Sequence, residues 1–407
     1  MLYLLSTRPI SRRISLRNAH ILSVNIVLGI ATSIYGICLT FSETIIPCCC
    51  TIYFSDKNQQ PLRISIVNMN NVITEEAERS ITTSFISPEQ SLPLVITAKD
   101  TSINLVEWAE KNKRYITAKK EQYGAVLFRG FDVDSAEAFE QVIEATSSKA
   151  IKYMERSSPR DAVSGNIYTS TSQPKEHEIF LHTEQSFNLT FPLHIYFNCH
   201  TAAESGGCTP LADTRKVFQR IPEAIRNKFI EKGYLYQRNF MKYMYVSWQN
   251  CYQTEDKEQV ENYCRNNQID FLWGEDDIAL TTRQLRPIAS KHPATNENCW
   301  FNHCTFFNLA TLDPNMQHFL RDSFSDQELP NQTFYGDGSP IEQEVIETLI
   351  QAYEAEKVTF PWQAGDVLMV DNMLVAHGRE SFTGERLVLT GMSEPCFLDK
   401  VKLSEPA

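Results

Sequence analysis

Two histidines far apart in the chain constrain the fold most. His182 stands in FLHTEQSF, residues 180–187, two positions before Glu184. His377 ends the apolar run VLMVDNMLVAH, 195 residues further on. In a β-strand residues i and i+2 share a face, so His182 and Glu184 would converge on one point. Alone, the pair also reads as a polar pair at a strand edge, and His377 as a core or surface histidine. His182-Thr183-Glu184 is nevertheless the only HxE or HxD in the chain. If both histidines serve one centre, strands widely separated in sequence must lie side by side. That predicts a mainly β fold with flanking helices, built on a double-stranded β-helix, a jelly-roll whose open mouth holds the site.

The 407 residues, 42% hydrophobic and 22% charged, are those of a soluble globular protein. A net charge of −12 argues against non-specific binding to nucleic acid or anionic membranes. No period of 20–50 residues recurs, which excludes a solenoid or propeller. Beyond residue 70 the seven cysteines are odd in number and form no CxxC pair, so neither a disulfide framework nor a zinc knuckle is indicated. A reducing, cytoplasmic compartment fits this usage.

Residues 1–68 differ from the rest and read as an N-terminal extension to a catalytic domain over 69–407. Arg8, Arg12, Arg13 and Arg17 precede the apolar run 21–41, which is about the length that spans a bilayer. Three readings compete: a signal peptide, a membrane anchor, and a translation start at Met69 that would leave the extension out.

In the domain, 102–124 reads as an amphipathic helix ended by Gly124, 125–131 as a strand and 135–147 as a helix. Residues 158–180, rich in Ser, Thr, Pro and Lys, form a loop placed as a lid. A strand is expected at 193–202, one helix over 214–233, a short helix at 257–268, and strands and turns over 367–392. There His377 and Arg386 are expected on strands paired through the SFTGER turn.

Two histidines and one carboxylate make a facial triad for non-haem Fe(II), with positions left for a bidentate 2-oxo acid and for O2. The far carboxylate of that acid calls for a guanidinium, which Arg386 supplies, with Arg379 as the fallback. A zinc hydrolase would also take His-Glu-His but leaves Arg386 without a use.

With these residues in place, the sequence from about 75 to 397 resembles the taurine dioxygenase-like (TauD/TfdA-like) superfamily of Fe(II)/2-oxoglutarate oxygenases. The resemblance rests on His182-Thr183-Glu184, on Thr209 within SGGCTPLADTR, just after its glycine turn and 27 residues past His182, and on His377 followed by Arg386. It implies that His182, Glu184 and His377 are the iron ligands and the catalytic centre, and that Thr209 and Arg386 bind 2-oxoglutarate, with O2 as the other cosubstrate. NCWFNHCTFFN and SWQNCYQTED resemble the branch that hydroxylates amino acids in nonribosomal peptide antibiotic pathways. The implied substrate is therefore an amino acid, free or tethered as an aminoacyl group to a peptidyl carrier protein. Glu184 fills the place that a halogenase leaves to a small residue, which favours hydroxylation. Arg238, Asn239, Trp300, Asn302 and His303 are the candidate substrate contacts, with core packing as the rival reading for Trp300. Two alternatives stay open: a sulfonate or small-carboxylate dioxygenase, and a cupin-like binding protein without turnover.

Overall fold

The computed structural model describes residues 51–55, 61–65, 76–152, 155, 162–171, 173–241, 246–275 and 278–406. The apolar run at 21–41 lies outside these residues, as does part of the expected lid at 158–180. Among the described residues no helix is long and apolar enough to cross a membrane. The chain divides into two units, Met1–Asn71 and Val72–Ala407. In the first, Thr51–Ser55 and Pro61–Ser65 pair as an antiparallel ribbon.

The second unit is built on an eight-stranded sheet. Its strands lie in the order Ile81–Ser87, Gln90–Ala98, Ala125–Arg129, Val367–Asp371, Thr190–Thr201, Leu387–Phe397, Ile167–Thr169 and Ala162–Ser164. A three-stranded sheet, in the order Leu211–Asp213, Val375–Arg379, Ile179–His182, carries both histidines.

The apolar runs explain why the large sheet is covered on both faces. Val126, Phe128, Val367 and Met369 pack against Trp108, Ile116, Phe139, Val142 and Ile143 of two helices. Their neighbours Leu127, Leu368 and Val370 turn the other way, into a second cluster with Leu211 and Val375 of the smaller sheet. Burial of successive residues on opposite faces removes the polar alternation a one-sided strand would show.

The covering helices are Leu105–Tyr123 and Ala136–Thr146. The first is capped by the Asn104 side chain, which accepts from Glu107 N at 3.1 Å, and it ends at Gly124 with φ 82°. The Ser135 hydroxyl caps the second by accepting from Ala138 N at 3.1 Å.

Two expectations need correction. Residues 214–233 form two helices, Thr214–Arg220 and Glu223–Lys232, broken at Ile221-Pro222. Proline has no N–H to donate and keeps the preceding residue extended, here at ψ 128°. Nor are the strands bearing His377 and following Arg386 paired with each other. Val375–Arg379 lies in the small sheet and Leu387–Phe397 in the large one. The turn between them instead pairs Phe382–Thr383 with Ser205–Gly206. The seven residues 380–386 are too many for a tight hairpin. They carry the chain from one sheet to the other, which is how a sandwich turns its corner.

Between the small-sheet strand Leu211–Asp213 and Val367 the chain adds a four-stranded antiparallel sheet: Asp270–Trp273, Leu280–Arg286, Tyr234–Phe240 and Asn331–Tyr335, in that spatial order. It contributes Tyr234, Tyr236 and Tyr335 to a third apolar cluster, which also holds Phe187, Trp300 and Phe307.

Candidate metal centre and cosubstrate pocket

His182 is the last residue of its strand and is directly opposite His377 in the ladder. Their ring centroids are 4.5 Å apart. Glu184 is not on that strand. The chain leaves the ladder at Thr183 and turns through 184–187, with Gln185 left-handed at φ 54°. The convergence expected from strand alternation is therefore reached by a turn, and backbone contacts outside the strand must hold it.

The structure brings all three side chains together. One potential ligand atom from each of His182, Glu184 and His377 lies within 4.8 Å of the others. Glu184 Oε2 is 4.0 Å from His377 Nε2. The three are 8%, 1% and 4% exposed, so a bound ion would be largely shielded from bulk water. His182 Nδ1 lies 2.9 Å from the Phe180 carbonyl and donates to it, which fixes the tautomer whose Nε2 carries the lone pair. Two neutral imidazoles and one carboxylate on one side of a cavity suit a non-haem Fe(II) ion and leave its other side for ligands.

A wall of rings flanks His182. Phe306 is 4.5 Å and His303 5.6 Å away, centroid to centroid. Burial, then the neighbouring His182, holds His303 well below the usual imidazole range, so it is neutral. Its Nδ1 is 2.7 Å from the Ser186 hydroxyl.

A cavity of about 170 Å³ is lined by Ser170, Gln173, Arg379, Phe382 and Arg386, among others, Arg379 being two residues past His377 on the same strand. Arg386 Nε donates to Gly207 O at 2.9 Å, and Nη1 reaches the Ser170 hydroxyl at 3.5 Å. Among the described residues no carboxylate pairs with it. Burial and the nearby Arg379 cation lower its pKa to about 10, so at neutral pH it is a poorly solvated cation facing a cavity. Arg379 is otherwise engaged: its guanidinium donates to the carbonyls of Gln173, Pro174 and His177 at 2.5–2.9 Å. It tethers the segment before the His182 strand. Thr209, 2% exposed, accepts from Trp362 Nε1 at 3.1 Å. It stands two residues past the carbonyl that holds Arg386.

Among the candidate substrate contacts only His303 borders the triad. Trp300 is fully buried against Phe218 and Phe229. Asn302 bonds Ile288 O and Cys304 N, and Asn239 bonds Gln327 O, Leu329 O and the Thr281 hydroxyl. These three are committed to the fold rather than to the site. Arg238 is buried in an ion pair with Glu155 at 3.0 Å, and the Glu155 carbonyl is 3.5 Å from Gln185 Nε2.

The sequence reading missed Asn372, whose side chain touches the Glu184 backbone twice. The only signal was an Asp-Asn turn directly after an apolar strand. His194 and His292 belong to a buried network with Lys120 and Asp371.

Residues 89–393 match the family described as Taurine catabolism dioxygenase TauD, TfdA family. Dapdiamide synthesis protein DdaC of Enterobacter agglomerans is 39% identical over 67% of this chain and 83% of its own. A clavaminate synthase-like protein of Arabidopsis thaliana is 28% identical over 75% of this chain and 89% of its own. Among solved structures, PvcB of Pseudomonas aeruginosa is similar at 13% identity and a TM-score of 0.45, over 80% of this chain and 95% of that one. At that distance the structural likeness adds nothing to what the family match shows.

Proposed function

Because the chain belongs to the TauD/TfdA family of dioxygenases, which use Fe(II), 2-oxoglutarate and O2, we propose that it hydroxylates an unactivated C–H bond of an amino acid, free or tethered to a carrier protein. One observation carries this reading: His182, Glu184 and His377 converge within 4.8 Å, and the strand that bears His377 also gives Arg379 to the cavity that Arg386 lines without a carboxylate partner among the described residues. The relative named for dapdiamide synthesis supports a biosynthetic substrate.

In this reading the two imidazoles and the Glu184 carboxylate hold the ion from one side. When bound, Fe(II) with 2-oxoglutarate and O2 supplies the oxidising power that turns C–H into C–OH, with succinate and CO2 as co-products. Arg386 pairs with the far carboxylate of 2-oxoglutarate, and the Thr209 hydroxyl supports the same group. His303, Phe306 and Phe307 close one wall and exclude water. Neutral His303 adds no charge beside the ion.

The test is anaerobic addition of Fe(II), then 2-oxoglutarate, to the purified protein. A weak visible charge-transfer band is expected only with both, absent in His182→Ala and weakened in Arg386→Ala. A folded wild-type protein without the band would overturn the reading in favour of a binding protein without turnover. Free and carrier-bound amino acids are then screened for hydroxylated product.

A further inference from the structure

Glu184 is the member of the triad with no strand to hold it. Its backbone is held instead by Asn372, which is fully buried. Asn372 Oδ1 accepts from Glu184 N at 2.6 Å, and Nδ2 donates to Glu184 O at 2.8 Å and to Pro192 O at 2.8 Å. The reverse amide orientation would set its oxygen against two carbonyls and its NH2 against an N–H, so the network admits only this one. Asn372 thus grips both polar groups of one peptide residue and ties them to the start of Thr190–Thr201.

The grip is itself anchored. Asn372 N donates to Leu193 O at 2.8 Å. Asp371, just before it, accepts from Met373 N at 3.2 Å and Leu374 N at 3.3 Å, which closes the turn. The Asp371 carboxylate takes Lys120 Nζ at 2.7 Å and His292 Nε2 at 3.2 Å. Five residues after Asn372 the same turn delivers His377. One side chain therefore sets the position of the acidic ligand relative to the strand that bears the distal histidine.

We infer that Asn372 is a positioning residue for the metal centre, holding Glu184 in register with His182 and His377 so that the three ligands meet. This rests on the metal reading above. Groups that orient metal ligands from behind typically change affinity about 10–100-fold when removed.

The test measures Mn(II) affinity of the metal-free full-length protein from the electron paramagnetic resonance signal of unbound Mn(II), without turnover. Asn372→Ala is compared with wild type, with His182→Ala, and with Asn198→Ala. Asn198 is an equally buried asparagine that donates to Val133 O at 3.1 Å and Asp366 O at 3.2 Å and touches no member of the triad. Asn372→Asp, which keeps the shape and the acceptor for Glu184 N but loses both donors, serves as the second variant if the alanine protein does not fold. Mn(II) affinity should fall about tenfold or more in either Asn372 variant. In Asn198→Ala it should stay within about twofold, whatever that variant loses in melting temperature. Wild-type Mn(II) affinity in a folded Asn372 variant, or an equal loss in Asn198→Ala, overturns the inference while leaving the metal reading standing. Absence of Mn(II) binding by the wild type, or binding unchanged in His182→Ala, overturns the metal reading and the inference with it.

Discussion

In the proposed reading, Arg386 is a single residue readied for a ligand. A guanidinium facing a small cavity, beside a second cation and without a carboxylate, destabilises the folded protein until an anion arrives. Its lowered pKa expresses this. Below about pH 10 the folded protein carries the full penalty of a poorly solvated charge, and above the ordinary arginine range neither state carries it. Two results should follow. Affinity for 2-oxoglutarate, read from the charge-transfer band, should be flat through neutral pH and fall as the pH rises through about 10. Arg386→Met should lose most of that affinity while the ligand-free protein melts no lower than wild type, because an apolar side chain removes an uncompensated charge. Retained 2-oxoglutarate affinity in Arg386→Met would mean the anchor lies elsewhere. Arg386 was legible in the sequence as a candidate anchor through its place after His377. Asn372 was not, because an asparagine at a turn reads as turn chemistry, and only the fold shows that its amide grips the Glu184 backbone.

At the scale of elements, the meeting of the two histidine strands depends on their close approach beside Gly378. A Cβ there would lie 2.5 Å from the Ile179 carbonyl, a clash with backbone that has no side-chain rotation to relieve it. Gly378→Ala should therefore push the His377 strand from its partner, lowering Mn(II) affinity and costing about 1–3 kcal/mol of stability in urea unfolding. The turn ahead of that strand depends on the Lys120–Asp371 pair, which is almost fully buried. Burial alone would raise the Asp371 pKa, but Lys120 and His292 outweigh it and hold the carboxyl far below the usual range. A carboxylate depressed in this way contributes stability above the unfolded pKa of about 4, lost as pH falls below it. Lys120→Met should thus cost about 3–5 kcal/mol at neutral pH, with the gap to wild type narrowing in acid, and equal unfolding curves at pH 7 would remove the pair's importance. Neighbouring His194 titrates at about 3, lowered by burial and then by Lys120, so it is a neutral partner at neutral pH and gains its proton only within the same acid window. The large sheet was readable because AVLF and VLMV are strongly apolar. The four-stranded sheet was not: Gln237, Arg238, Gln284 and Arg286 are all buried there, which breaks the apolar pattern. Their polar groups find partners that only the fold provides, as when Arg286 donates to Phe187 O at 2.7 Å and Asn267 O at 2.7 Å.

For the whole domain, the division of labour between core and site makes a further prediction. The two clusters on either face of the large sheet hold it together without any residue of the triad. Metal removal should therefore leave a folded protein, unlike a small zinc domain that unfolds with its ion gone. The site still joins residues 182–184 to residue 377, so a ligand bound there stabilises only the state in which both halves of the chain are assembled. A ligand at about 100 times its Kd adds about 2.7 kcal/mol to stability, by mass action alone. Mn(II) with 2-oxoglutarate should raise the melting temperature by a few degrees. Mn(II) alone should raise it less, and 2-oxoglutarate alone hardly at all, because it would lack the ion its keto acid end chelates. Melting curves with and without each ligand decide the matter, with His182→Ala expected to remove the Mn(II) increment while keeping the ligand-free melting temperature. If metal removal instead unfolded the wild type, the ion would be part of the core, and the sandwich of apolar faces would not suffice to hold the two histidine strands together.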